Sequence, residues 1–216
     1  MIRLSRRAWL LSATVSTVGA MIGPAWMGTA RADIADPVAQ PLRDLHNALE
    51  ATMRAGHTTP FPQRFDALAP VVDQVFDLDT VLKVSVGLRW DSMDDDVRNR
   101  LLRTYRRFTV ATYVANFDRY DGKRFQVLPG ARDSGTDRIV STELVTSGGE
   151  RLRIDYVMRG AGDTWRAVDI LWEGSISRVA VQRSDFRKIL VSGDAEALIA
   201  SLRRKIADLS DGALNA

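Results

Sequence analysis

The spacing of apolar residues changes at Gly122, from steps of three and four to steps of two, and this switch limits the fold to helices first and a sheet after them. Before it, Val38, Leu42, Leu45, Leu49 and Met53 describe one amphipathic helix, with Pro37 and Pro41 near its start and Gly56 as its stop. Phe65, Leu68, Val72, Val75 and Phe76 continue the period in a second helical stretch that Pro70 is expected to interrupt. A third, short helix capped by Asp77 or Asp79 carries Val81, Leu82 and Val86 to Gly87. A long fourth helix, capped by Asp91 or Ser92, has Val97, Leu101, Tyr105 and Phe108 on its apolar face, continued by Tyr113, Phe117 and Tyr120.

After Gly122 the alternation marks strands at 123–128, 138–146, 151–159 and 164–172. Ser147-Gly148-Gly149-Glu150 and Gly160-Ala161-Gly162-Asp163 are short enough to be hairpin turns. Leu152, Ile154, Tyr156 and Met158 share one face of the third strand; Val168, Ile170 and Trp172 share one face of the fourth, with Trp165 and Asp169 on the opposite side. A helix at 184–190, a stop at Gly193 and a last helix capped by Asp194, with Leu198, Ile199, Leu202, Ile206 and Leu209, close the chain. The fold class is α+β: one domain, a four-stranded antiparallel curved sheet covered by helices on one side.

The amino terminus reads as an export signal. Arg3, Arg6 and Arg7 precede an uncharged run over 8–30, and Ala30-Arg31-Ala32 forms a small-x-small cleavage site. The run is nearly long enough for a membrane anchor, but Thr, Ser and Gly thin its apolar character, so cleavage near Ala32 is the favoured reading. Ser5-Arg6-Arg7-Ala8-Trp9-Leu10 resembles a twin-arginine motif, and both that route and the general secretory route stay open. The mature domain is then 33–216, exported from the cytoplasm. The charge of +3 belongs to the leader: its four Arg removed, 26 basic residues face 27 acidic ones, which argues against nucleic acid as a partner.

Chemistry-bearing motifs are scarce. The chain has no Cys and only two His, His46 and His57, in no ligand-spaced pair, and neither a phosphate loop nor a nucleophile elbow occurs. No catalytic residue, metal site or cofactor is therefore assigned. Asp94, Asp95 and Asp96 read as helix-dipole compensation with i,i+4 pairing to Arg98 and Arg100. Arg103, Arg106 and Arg107, like Arg203, Arg204 and Lys205, read as solvated helix faces.

Several elements together resemble the MlaC, or toluene-tolerance, family of periplasmic lipid-binding proteins. They are Phe65, Leu68, Pro70, Phe76-Asp77 and Gly87-Leu88-Arg89-Trp90, then Tyr113, Tyr120-Asp121-Gly122, Tyr156, Trp165-Arg166, Val168-Asp169-Ile170 and Glu173-Gly174, and last Arg183, Phe186, Ile189 and Leu198-Ile199. The resemblance spans nearly the whole mature chain. It implies a cystatin-like or nuclear-transport-factor-like sheet wrapped by helices, with acyl chains in an apolar cavity between them. It also implies a monomeric periplasmic carrier that exchanges phospholipid with an outer-membrane lipoprotein complex and an inner-membrane ABC transporter fed through a substrate-binding ring. The residues Glu173-Gly174-Ser175-Ile176-Ser177 are one longer than the usual family pattern, a departure that resembles the hopanoid-associated HpnM branch and makes a hopanoid the alternative cargo.

In such a cavity the expected lipid contacts are Leu82 and Val86 on the third helix and Phe108, Tyr113 and Phe117 on the fourth. From the sheet come Ile154, Tyr156, Met158, Val168, Ile170 and Trp172. Tyr156 either meets a lipid ester or bonds a backbone carbonyl. Arg183 either meets a head-group phosphate at the mouth or pairs with Asp169 or Glu173. Two acyl chains of about sixteen carbons lose roughly 25 kcal/mol of burial in crossing water at ~0.8 kcal/mol per methylene, whereas transfer between a bilayer and a dry cavity is nearly neutral. A carrier therefore needs no energy source of its own. The rival readings are an isomerase- or cyclase-type enzyme on a cone-shaped fold, using Asp169 with Tyr156, and a passive interaction module.

Overall fold

A computed structural model describes residues 36–162, 164–192 and 194–214, so the export segment at 1–32 lies outside the described residues. A 3-10 turn at Pro37–Ala39 leads into α1 (Gln40–Ala55), followed by α2 (Phe61–Val75), α3 (Leu78–Val86) and α4 (Asp95–Asn116). The strands are β1 (Arg124–Val127), β2 (Arg132–Ser134), β3 (Asp137–Val145), β4 (Arg151–Ala161), β5 (Thr164–Trp172) and β6 (Ile176–Ser177); α5 (Arg178–Ser192) and α6 (Ala195–Leu209) end the chain.

The strongest periods form the expected helices. α1 buries Leu42, Leu45, Leu49 and Met53, and α6 buries Leu198, Ile199, Leu202 and Ile206 behind an Asp194 cap that accepts the Ala197 N–H at 3.0 Å. Asp77 caps α3 by accepting the Thr80 N–H at 3.0 Å.

Three helix limits differ from expectation. α2 runs on through Pro70, which sits on its exposed face, where the carbonyl freed by the missing N–H is open to water. α4 starts at Asp95 behind Asp94, because turns through Gly87, Trp90 and Met93 occupy the chain before it, and it ends at Asn116, where the backbone leaves the helical region at Phe117, short of the expected Tyr120. Arg98 and Arg100 pair with Asp95 and Asp96 at 3.4 and 2.8 Å. α5 starts at Arg178 instead of 184: Ser177 Oγ accepts the Ala180 N–H at 2.9 Å and Asp169 Oδ1 accepts that of Val179 at 3.1 Å, so two of the first free amide donors are met.

The sheet has six strands among the described residues, not four, in the order β1-β3-β4-β5-β6, with β2 also on β3. The expected first strand is an edge broken into two pieces, β1 opposite 142–145 and β2 opposite 137–139. Pro129-Gly130, with Gly130 at φ 83°, lies in the break. β6 adds a short pairing of Ile176 with Trp172 and of Ser177 with Leu171. Between β4 and β5 the register slips: Val157 opposes Asp169 and Met158 opposes Ala167, leaving Val168 as the extra residue of a bulge.

Helices cover one face of the sheet. α4 is tied to α6 by Arg100, whose Nη1 and Nη2 lie 2.9 and 2.5 Å from Glu196, and to α2 by a bidentate pair between Arg106 and Asp73. Arg106 is thus a bridge between helices, and Lys205 lies 5.8 Å over the Phe108 ring. The other sheet face is polar and cross-linked. Asp155, fully buried, receives Arg132 at 2.7 Å and Arg153 at 2.9 Å. Burial alone raises its carboxyl pKa, but bonds from Arg153 and Ser141 and the Arg132 charge more than offset this and hold it below the ordinary range. Arg159 likewise holds Asp137, the residue across the strand pair, below that range.

Candidate functional site

Between α4 and the sheet lies a cavity of about 520 Å³. Helix periodicity places Tyr105, Phe108, Thr109, Thr112, Tyr113 and Asn116 of α4 along one wall, with Phe117 just beyond. Thr109 and Thr112 bond back to the carbonyls of Tyr105 and Phe108 at 3.0 and 2.7 Å, which satisfies their hydroxyls within the helix. The sheet supplies Phe125, Ile154, Tyr156, Ile170 and Trp172. Leu49, Phe76, Leu78 and Val81 complete the apolar side, and Arg178, Val179 and Gln182 of α5 form the end next to β6.

Phe76 is held against the sheet by a parallel bridge to Ala167, with the Asp77 N–H donating to the Ala167 carbonyl at 3.0 Å. Its ring lies 5.8 Å from Tyr113 and 6.5 Å from Tyr156. Tyr113 continues into Phe117 at 6.2 Å and Phe117 into Phe125 at 5.6 Å, an aromatic band running toward β1.

Of the residues singled out in the sequence, Phe108, Tyr113, Phe117, Ile154, Tyr156, Ile170 and Trp172 line this cavity. Five do not. Leu82 and Val86 are buried farther along α3, which packs on α5. Met158 is fully buried opposite Ala167, beyond the point where Phe76 bridges to β5. Val168 is displaced by the bulge. Arg183 is exposed, and its guanidinium lies against Gly87, where a Cβ would come within 3.4 Å of Nε; it pairs with neither Asp169 nor Glu173 among the described residues. Arg178, one helical turn before Gln182, is the arginine on the cavity wall. It is exposed and has no ion pair among the described residues.

Asp169 also lines the cavity instead of facing away from it. Its carboxylate is occupied: it accepts the Ile170 N–H at 2.7 Å, the Ser177 hydroxyl at 2.5 Å and the Val179 N–H at 3.1 Å. Trp165 packs at the core, its ring over Gly160.

The cavity's polar groups divide in two. Near α5, the Tyr105 hydroxyl donates to Gln182 Oε1 at 3.1 Å, while Gln182 Nε2 is buried without a partner among the described residues. Deeper in, the hydroxyls of Tyr113 and Tyr156 have no protein partner among the described residues, so Tyr156 does not bond a backbone carbonyl. Burial pushes both phenols well above their ordinary pKa, and both are neutral donors at physiological pH. Among the described residues no three His, Asp or Glu side chains are placed to hold a metal ion, and no helix is long and apolar enough to cross a membrane.

An α+β fold whose sheet and helices enclose an apolar, aromatic-lined cavity with a cation at one end belongs to the class of small-ligand-binding proteins. The chain belongs to the MlaC protein family, whose model matches residues 43–204. The fold is similar to that of a phospholipid-binding protein from Ralstonia solanacearum solved in complex with a phospholipid. The TM-score is 0.67 at 16% identity, over 81% of this chain and 97% of that one. No curated protein matches the chain.

Proposed function

We propose that this protein is a periplasmic lipid carrier that holds the hydrocarbon of one lipid between α4 and the sheet and acts without catalysis. The observation that carries the reading is the aromatic and aliphatic wall of the cavity in a member of the MlaC family. The Ralstonia protein, described as phospholipid-binding, favours a phospholipid as cargo. Arg178, at the exposed end, is the head-group contact, in place of Arg183.

The route follows from the family resemblance: export through the leader at 1–32, cleavage near Ala32, and exchange with an outer-membrane lipoprotein complex and an inner-membrane ABC transporter. A hopanoid is the alternative cargo. The additional residue that suggested it falls in the β5–β6 turn beside Trp172, so competitive loading of parent and Trp172→Ala protein with phospholipid and hopanoid tests that reading. Asp169 argues against the enzyme reading, because its three hydrogen bonds go to this chain's own Ile170 and Val179 amides and Ser177 hydroxyl and spend it on starting α5.

Transfer of a fluorescent phosphatidylethanolamine between donor and acceptor vesicles tests the carrier. The rate should rise in proportion to added protein. A rate independent of protein, with no lipid recovered on it, would overturn the proposal.

A further inference from the structure

Tyr156 is 3% exposed, lines an otherwise hydrocarbon-like part of the cavity, and its hydroxyl has no protein partner among the described residues. Tyr113 approaches the same region from α4, and the Phe76 ring touches on both. A wall that needed only apolar surface would be served by Phe, as it is at Phe117 and Phe125. Leaving a buried hydroxyl unpaired is unfavourable, and hydrocarbon that displaced water from these phenols would leave both donors without an acceptor. The missing acceptor must come with the cargo.

Its position along the ligand follows from the strand order. The cavity crosses from Arg178 beside β6, past Ile170 on β5, to Tyr156 on β4, which pairs with Ile170, and on to Phe125 on β1. Tyr156 is two strand spacings in from β6, roughly 10 Å. A lipid with its phosphate at Arg178 and its tails on the Phe117 and Phe125 rings brings its glycerol esters to the tyrosines.

We propose that Tyr156 and Tyr113 form a recognition point for an acyl ester carbonyl, so that the cavity selects ester-linked lipids by an oxygen inside it as well as by hydrocarbon. This rests on the carrier reading. It makes the site more selective than a greasy pocket, because a donor built to meet an oxygen discriminates against analogues that lack it more strongly than apolar walls discriminate by size.

The test loads delipidated protein with dihexadecanoyl phosphatidylethanolamine and with the dihexadecyl ether analogue, whose ether oxygens are weaker acceptors in place of the carbonyls. The parent protein should prefer the diester by roughly tenfold. Tyr156→Phe should bind the two within about twofold and melt no lower than the parent, since the hydroxyl it loses has no protein partner among the described residues. Tyr113→Phe should narrow the preference in the same direction. Equal binding of the two lipids by the parent, or a preference unchanged in both variants, would overturn the ester contact while leaving the carrier intact. A clear fall in the melting temperature of Tyr156→Phe would show that the hydroxyl serves the fold and would also overturn it. Failure of both lipids to bind would remove the carrier reading, and this inference with it.

Discussion

The His46 imidazole stacks on the Phe125 ring with centroids 4.5 Å apart and planes 10° from parallel, so a titratable ring of α1 forms the backing of the cavity wall. Tyr156 meets the same imidazole edge-on at 6.3 Å. His46 is 6% exposed and its Nε2 is buried without a partner among the described residues. Burial lowers its pKa from 6.5 to about 4.

The folded protein therefore keeps His46 neutral where the unfolded chain takes up a proton. Stability should fall as pH drops from about 6.5 toward 4, by ~3 kcal/mol in all. The depressed carboxylates Asp137 and Asp155 lose their contributions only below the ordinary carboxylate range, so the upper window belongs to His46. Denaturant titrations at a series of pH values measure this. His46→Phe should flatten the curve in that window, and an equally steep curve in the variant would contradict the assignment.

Ile170 lines the cavity opposite Tyr156, so Ile170→Trp should fill space otherwise taken by lipid. In a close-packed core the added volume costs about 1 to 3 kcal/mol. Here the melting temperature should change little while bound lipid is lost. A destabilised variant that retains its lipid would place Ile170 in ordinary core.

Glu173 and Gly174 both have positive φ, 51° and 73°, in the turn between β5 and β6. A Cβ on Gly174 would come within 3.3 Å of Arg153 Nε, in the network that holds Asp155. Gly174→Ala should cost ~1–2 kcal/mol from backbone strain, lowering Tm by roughly 2 to 8 °C. Gly149, also at positive φ but with nothing within 4 Å, supplies the comparison: Gly149→Ala should cost less. Thermal melts giving equal losses would mean that Arg153 yields freely.

Arg178→Glu should weaken binding of an anionic phospholipid by about tenfold or more, the size expected when a charge-assisted hydrogen bond is replaced by repulsion. Arg183→Glu, against Gly87, should leave it unchanged. Equilibrium binding of phosphatidylglycerol to the two variants compares them directly, and the reverse order would return the head group to Arg183.

What could be read from the sequence was whatever depended on a repeating pattern. α1 and α6 carry strong periods with a proline entry or an Asp194 cap, and the helical spacing of Tyr105, Phe108 and Tyr113 places all three on one side of α4. The bulge left no such trace: Val168, Ile170 and Trp172 alternate perfectly in sequence, and only their pairing with β4 shows that Val168 is skipped. β2 leaves no signal in the sequence, because Arg132, Asp133 and Ser134 are all exposed and carry no alternation. Arg178 is hidden in the sequence for a related reason. The first turns of α5 have no apolar stripe, and what starts the helix there is Asp169, a side chain from β5.

The most direct test of the account is native mass spectrometry of the mature protein released gently from the periplasm and never exposed to detergent. A lipid carrier should give a dominant species heavier than the polypeptide by the mass of one diacyl phospholipid, lost in Ile170→Trp. A parent protein that arrives at its bare polypeptide mass, and stays there after incubation with phospholipid vesicles, would contradict it.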